Sequence, residues 1–166
     1  SLKHAKLPQP LSGLQGNFIF TPKGIEVQHL KGRYGHSDIN IQGRLDDMLN
    51  IHVESKKFSA DDLPQIFWIS RLNLTGPIAF ESQLTRSSEA VDFTGSFDLT
   101  KTSYRYDDRF VKGAESPNHF RIQGRWTPNH LLVVKKLVYE LGPNSFHGTG
   151  KIRLSPNPKF SLRVSA

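Results

Sequence analysis

The chain has no cysteine among its 166 residues, which excludes disulfides, thiol catalysis and thiolate metal sites. It also lacks any apolar run near the roughly 18 residues that a membrane-spanning helix requires. The first residues, Ser1 to Lys6, contain no apolar segment of the kind found in a secretory signal. Length and composition therefore predict one domain without a helical membrane anchor, either cytoplasmic or a mature piece of an exported protein.

Sequence signatures of catalysis are also missing. There is no Gly-x-Ser-x-Gly elbow for a nucleophile and no Gly-x-x-x-x-Gly-Lys loop for a phosphate. None of the seven histidines is followed by another at position i+4, and His36 and Asp38 share one strand face without a third ligand. We therefore predict a protein that is not an enzyme, with no catalytic residue, no metal and no cofactor.

What the sequence does contain is alternation of apolar and polar residues, clearest in residues 39–45, 91–99 and 120–126. Because side chains alternate across a strand, each segment has one dry face and one wet face, as antiparallel strands do. Turn signals such as Thr21-Pro22-Lys23-Gly24 and Gly142-Pro143-Asn144 separate the segments. The pattern predicts an all-β fold of about ten meandering strands, forming a curled sheet with a groove or a flattened open barrel or sandwich.

A glycine recurs on the apolar side of these segments, at Gly43, Gly76, Gly95, Gly124 and Gly150. A glycine inside a strand marks a bend, a bulge or a close approach to the backbone, so this recurrence predicts a sheet that curls around a shared apolar interior. The residues predicted to line that interior, as a groove or as a filled core, are Phe18, Phe20, Ile39, Ile41, Leu45, Leu74, Ile78, Phe80, Val91, Phe93, Phe97, Phe120, Ile122, Trp126, Phe146, Ile152 and Leu154.

Two other segments interrupt the strands. Ser59 and the acids that follow it predict a short helix near residues 59–67. Residues 101–118 form a long connection that mixes Tyr104, Arg105 and Lys112, and it is interpreted as an amphipathic hairpin tip or, less well, as a contact for phosphates or bases. The whole chain, 1–166, is predicted to be one β-rich segment with sub-units 11–67 and 69–164.

The formal charge of +7 favours an anionic partner, either nucleic acid or an anionic membrane surface. The 22 Lys and Arg are spread along the chain, so a solvated basic surface is the alternative. A single-strand nucleic-acid binder places aromatic and basic residues together. Here the aromatics fall on the apolar side and the basic residues on the other, which argues against nucleic acid.

The run LSGLQGNFIFTPKGIEVQHLKGRYGHSDINIQGRL at residues 11–45 resembles the repeat of the AsmA-like proteins, including the TamB and YhdP branches. Residues 91–101, Tyr104, Lys112-Gly113, Pro117 and residues 120–126, 137–141 and 146–154 are similar to the C-terminal part of that family. The resemblance implies a periplasmic segment of a longer envelope protein of Gram-negative bacteria, whose N-terminal inner-membrane anchor is not in this sequence.

The same resemblance implies phospholipid, or another acyl-chain ligand, and neighbouring repeats of the same chain as partners. Burial of apolar surface stabilises by about 25 cal/mol per Å² and is non-directional, so an acyl chain in such a groove would be held yet free to slide. The main alternative is a structural spacer or protein-interaction module whose core is filled by its own side chains. A transmembrane barrel and an enzyme rank behind these two.

Overall fold

A computed structural model describes residues 9–63, 72–87, 89–106, 110–129, 131–153 and 159–165. Within these ranges the chain is all-β, as predicted from the alternation. The strands are β1 (Leu11–Thr21), β2 (Gly24–Tyr34), β3 (Ser37–Leu45), β4 (Asn50–Ser59), β5 (Pro77–Ser87), β6 (Ala90–Asp98), β7 (Tyr104–Tyr106), β8 (Phe110–Lys112), β9 (Asn118–Thr127), β10 (Leu131–Leu141), β11 (Asn144–Arg153) and β12 (Lys159–Ser165).

Ten of these strands form one antiparallel sheet in the order β1-β2-β3-β4-β5-β6-β9-β10-β11-β12. The hairpin of β7 and β8 is an insertion between β6 and β9, which pair directly with each other. Because β1 and β12 do not pair in the described part of the chain, the sheet is open and is not a closed barrel. Strand β4 pairs with β5, so both predicted sub-units contribute to this single sheet, and the division between them stays a prediction.

The pairing register places most apolar positions of the ten strands on one face, which we call the apolar face. Residues that lie directly opposite one another share a face, because side chains alternate along each strand. Two such rows are Phe80, Phe97, Phe120, Tyr139 and Phe146, and Leu84, Phe93, Gly124, Val134 and Gly150. The opposite side, which we call the polar face, carries the ion pairs described below.

Strands β2, β4 and β10 keep this parity only because each contains a β-bulge. In β2, β4 and β10, three residues span what two residues span on the partner strand. The residue pairs that form the bulges are Gln28-His29, Lys56-Lys57 and Lys135-Lys136, and all six residues are exposed. A bulge inserts one residue and increases the local twist, so the apolar residues after it return to the same face.

The two ends of the sheet differ, and we call them the covered end and the open end. At the covered end, β4 ends and β5 begins, and a core cluster forms from Ile39, Phe58, Ala60 and Ile78. At the open end, β3 ends and β4 begins, and the strands are joined by short turns. The buried core therefore occupies only part of the apolar face.

The predicted short helix is present as a single 3-10 turn, Ala60–Asp62. Ser59 is its N-cap, and the Ser59 side chain accepts a hydrogen bond from the Asp61 amide. The rest of its predicted span, 64–67, lies outside the described residues. Asp62 is 1% exposed, and its carboxylate accepts hydrogen bonds from the His36 amide at 2.9 Å and the Ser37 hydroxyl at 2.5 Å. The turn therefore fastens the β2–β3 connection to the covered end.

One predicted strand begins later than expected. The alternation in residues 72–80 predicts a continuous strand, but β5 starts at Pro77, which suits a residue with no amide donor. Gly76 lies outside the strand with a φ of +95°, and Thr75 pairs with Ser103 as an isolated bridge. The prediction of Gly76 as a strand glycine is therefore wrong.

No helix in the described ranges is long and apolar enough to cross a bilayer.

Candidate apolar groove

An apolar groove of about 630 Å³ lies on the apolar face toward the covered end. Five of the predicted lining residues surround it, namely Leu74, Ile78, Phe80, Phe97 and Phe120. Eight further residues that the sequence reasoning did not select complete the lining: Phe58, Leu63, Leu72, Ser82, Leu99, Tyr104, Phe110 and Tyr139. Among the described residues of this lining, only Ser82 and the two tyrosines have side-chain polar atoms.

Aromatic rings form a ladder across the strands that border the groove. The ring centroids of Phe58 and Phe80 are 5.3 Å apart, those of Phe80 and Phe97 are 6.0 Å apart, and those of Phe97 and Phe120 are 5.7 Å apart. Tyr139 lies directly opposite Phe120 on the next strand. Aromatic pairs at these separations stabilise a sheet beyond the area they bury, so the ladder gives the groove a firm wall.

One small residue of the lining, Ser82 on β5, lies directly opposite Gly95 on β6. A β-carbon on Gly95 would come within 2.9 Å of the Phe97 ring and 3.4 Å of the Ser82 hydroxyl. The space at Gly95 is therefore already used by a ring of the chain itself. Ser82, which is half-buried, is the position where a larger side chain would enter the groove.

A polar cluster closes the groove beneath the β7–β8 hairpin. Asn118 is 0% exposed, and its amide nitrogen donates to the Tyr104 hydroxyl at 2.9 Å and to the Tyr139 hydroxyl at 3.3 Å. The two hydroxyls also bond each other. Burial, together with the neighbouring Tyr104, raises the pKa of Tyr139 above its usual range, so this hydroxyl stays protonated near neutral pH.

Lys112 holds the same hairpin to the loop that follows β6. It is 3% exposed, and its ammonium donates to the carbonyls of Leu99, Thr100 and Thr102 at 2.7, 2.8 and 2.5 Å. Burial lowers the pKa of Lys112. The interpretation of residues 101–118 as an amphipathic tip therefore misplaces Tyr104 and Lys112, which point inward; residues 107–109 lie outside the described part of the chain.

The remaining predicted lining residues lie elsewhere along the apolar face or outside the described residues. Ile39 is buried, and Leu154 lies outside the described residues. The half-buried members are Ile41, Val91, Phe93, Ile122, Phe146 and Ile152, and the exposed members are Phe18, Phe20, Leu45 and Trp126. Since Phe20 is 79% exposed and Trp126 is 48% exposed, the apolar face continues past the groove and stays uncovered there.

The polar face carries charge pairs that tie neighbouring strands together. Arg125 donates to both oxygens of Asp92, at 2.9 and 2.6 Å, and Lys135 donates to the same carboxylate at 2.9 Å. Hydrogen bonds from these two cations hold the pKa of Asp92 well below its usual range. In the ranges the structure describes, no group of three or more His, Asp or Glu side chains is arranged to hold a metal ion.

Comparison with protein-family models, with curated proteins and with solved structures finds no match to this chain. The fold and the groove therefore have to be interpreted from their own geometry.

Sequence reasoning missed two kinds of lining residue. Tyr139 shares the parity of Leu137 and could have been selected, whereas Phe58 follows the β4 bulge and is displaced by one position from the simple alternation.

Proposed function

We propose that this chain is a non-enzymatic segment that binds or conducts phospholipid acyl chains along its apolar face. The observation that carries the proposal is the groove of about 630 Å³, which continues into an uncovered apolar face at the open end. Proteins seldom expose large contiguous apolar surface unless something apolar covers it. The resemblance to AsmA-like repeats supports a periplasmic location within a longer, inner-membrane-anchored protein, where neighbouring repeats would extend the groove.

The lining explains why an acyl chain suits this groove better than a polar ligand. The described lining offers rings and aliphatic side chains on every side, and its few hydroxyls include two that already bond each other and Asn118. Such a surface gives no directional contact that would fix one ligand in one register. An acyl chain would therefore be retained by burial alone and could move along the sheet.

The proposal is tested by filling the groove at Ser82. Ser82→Phe places a ring in the groove, and Ser96→Phe places the same ring on the polar face of β6, where Ser96 is exposed. Native mass spectrometry of protein purified from cells, with extraction of its lipids, measures the outcome. We expect wild type and Ser96→Phe to carry phospholipid, and Ser82→Phe to carry several-fold less while keeping the β-sheet circular dichroism.

A second measurement locates the lipid directly by crosslinking. A benzophenone amino acid at Phe120 would point into the groove, and one at exposed Thr94 would point away from it. We expect crosslinks to phospholipid from position 120 and not from position 94. Equal crosslinking at both positions, or purified protein that carries no lipid, would contradict a lipid groove.

A second candidate function is a spacer or protein-interaction module with a filled core. It is favoured by one observation: rings of the chain already fill the spaces at Gly95 and Gly124. In that case lipid would be absent from the purified protein, and Ser82→Phe would lower the midpoint of thermal unfolding without changing any bound ligand. The two proposals therefore predict different outcomes of the same experiment.

A further inference from the structure

The net charge of the protein is confined to one end of its sequence. Residues 118–166 contain eight Lys and Arg and one acid, Glu140, which accounts for the whole formal charge of +7. The first 117 residues contain fourteen basic and fourteen acidic residues. Basic residues are spread along the chain, but the acids that would balance them are missing from the last four strands.

The register places this charge on one surface. Arg125, Val133 and Lys151 lie opposite one another on β9, β10 and β11, so Lys151 shares the polar face with Arg125. Glu140 already pairs with Arg121, and Asp92 pairs with Arg125 and Lys135. The other basic side chains of this surface in the described strands are exposed, with no described carboxylate within 4.0 Å. They are Lys136, Lys151, Arg153 and Arg163.

Two of these residues lie at the open end, which also carries an exposed tryptophan two strands away on the apolar face. Lys151 and Arg153 lie near the end of β11, and Trp126 lies near the end of β9 in the row formed with Leu132 and Ile152. The indole is 48% exposed on the apolar face. Basic residues and a half-exposed tryptophan at the same edge of a protein are the combination found at membrane–water interfaces, where the cations meet headgroups and the indole enters the interface.

We propose that the open end of β9–β12 docks on an anionic phospholipid surface, with Lys151 and Arg153 at the headgroups and Trp126 in the interface. Nucleic acid is disfavoured because no Phe, Tyr or Trp lies on the polar face of the described residues of β9–β12, so the cations have no stacking partner beside them. This docking is independent of whether the groove holds an acyl chain.

The test measures binding to vesicles of phosphatidylcholine alone and of phosphatidylcholine mixed equally with phosphatidylglycerol. The variant Lys151→Gln/Arg153→Gln is matched by Lys56→Gln/Lys57→Gln, which removes the same charge from exposed positions at the β4 bulge. Each basic residue near an anionic surface strengthens binding about fivefold. We therefore expect the first variant to bind mixed vesicles roughly 30-fold more weakly, and the second to bind like wild type, at equal thermal stability.

Tryptophan fluorescence tests the orientation. Because the chain has a second tryptophan, Trp68, the measurement uses Trp68→Phe, and we expect mixed vesicles to shift its emission to shorter wavelength. Trp126→Phe should still bind the mixed vesicles. Equal weakening by both double variants would show a general charge effect and overturn the proposal. A single-stranded oligonucleotide that binds more tightly than mixed vesicles, through Lys151 and Arg153, would also overturn it by assigning the surface to nucleic acid. An unshifted emission from vesicle-bound Trp68→Phe would overturn the placement of Trp126 in the interface.

Discussion

The ring of Phe93 covers Gly124, the residue directly opposite it on the neighbouring strand. A β-carbon at Gly124 would come within 2.6 Å of the Phe93 ring and within 2.6 Å of the Val133 carbonyl oxygen. The ring can move, but the backbone carbonyl belongs to the β9–β10 ladder and cannot. The glycine is therefore required where a ring from β6 and the backbone of β10 meet.

Gly124→Ala should destabilise the protein by about 1–3 kcal/mol, because overpacking forces side-chain and backbone shifts in a packed sheet. Gly113→Ala is the matched control, since a β-carbon there has no atom within 4 Å. Its effect should stay within about 0.5 kcal/mol. Urea unfolding of both variants measures the difference, and equal stabilities would show that the Gly124 contact is not constraining.

Lys112→Met should destabilise the protein by about 2–4 kcal/mol. The substitution keeps the apolar stem but leaves the carbonyls of Leu99, Thr100 and Thr102 without their shared donor, and an unsatisfied buried group costs about 1–3 kcal/mol. Lys101→Met, at an exposed position in the same loop, is the control and should be nearly neutral. Chemical denaturation measures both, and a neutral Lys112→Met would mean that water replaces the ammonium.

Asp92→Asn should reduce stability at neutral pH by an amount that disappears in acid. Because Arg125 and Lys135 lower the pKa of the folded carboxyl below its usual 3.8, the Asp92 contribution is present above that value and is lost as pH falls through the folded pKa. Wild type and variant should therefore differ by a constant amount from pH 7 to about pH 5, and the difference should shrink as pH falls below about 4 toward the folded pKa. Denaturation midpoints across this range measure the effect, and two parallel curves would contradict it.

Deleting Lys136 should prevent folding of β10, whereas Lys136→Gln should be tolerated. Without the bulge, Leu137 and Tyr139 would turn to the polar face, because a one-residue slip reverses every following side chain. The substitution keeps the residue count and changes only an exposed side chain. Circular dichroism and amide exchange of both variants test this, and a folded deletion variant would mean that the register of β10 is set elsewhere.

Much of the sheet could be predicted from the sequence, since alternation and turn residues depend on neighbours along the chain. Strands β3, β6 and β9 follow the predicted segments, and four of the five selected glycines lie inside strands. The fifth, Gly76, lies outside the strands. The residue before it, Thr75, pairs with Ser103, far along the chain, and β5 begins only at Pro77. Phe58 was missed for a related reason, because a bulge is defined only against a partner strand.

Likewise, the sequence contained the charge imbalance of residues 118–166, but not its placement. Counting residues gives eight basic and one acidic, and only the strand register puts Lys151, Arg153 and Trp126 together at the open end. The burial of Lys112 and Asn118 could not be predicted from the sequence either, because it depends on hydrogen-bond partners in the inserted hairpin and in the sheet beneath it.

The sequence by itself determined that this protein is an antiparallel sheet with one apolar face, because period-two patterning is a local property of each strand. Only the tertiary structure decided how that face is used. Distant segments, Leu72 to Thr75 and the β7–β8 hairpin, cover one end and leave a groove, while the other end stays open with Phe20 and Trp126 exposed. Which part of an apolar face is covered depends on contacts between residues far apart in the chain, and no local pattern specifies them.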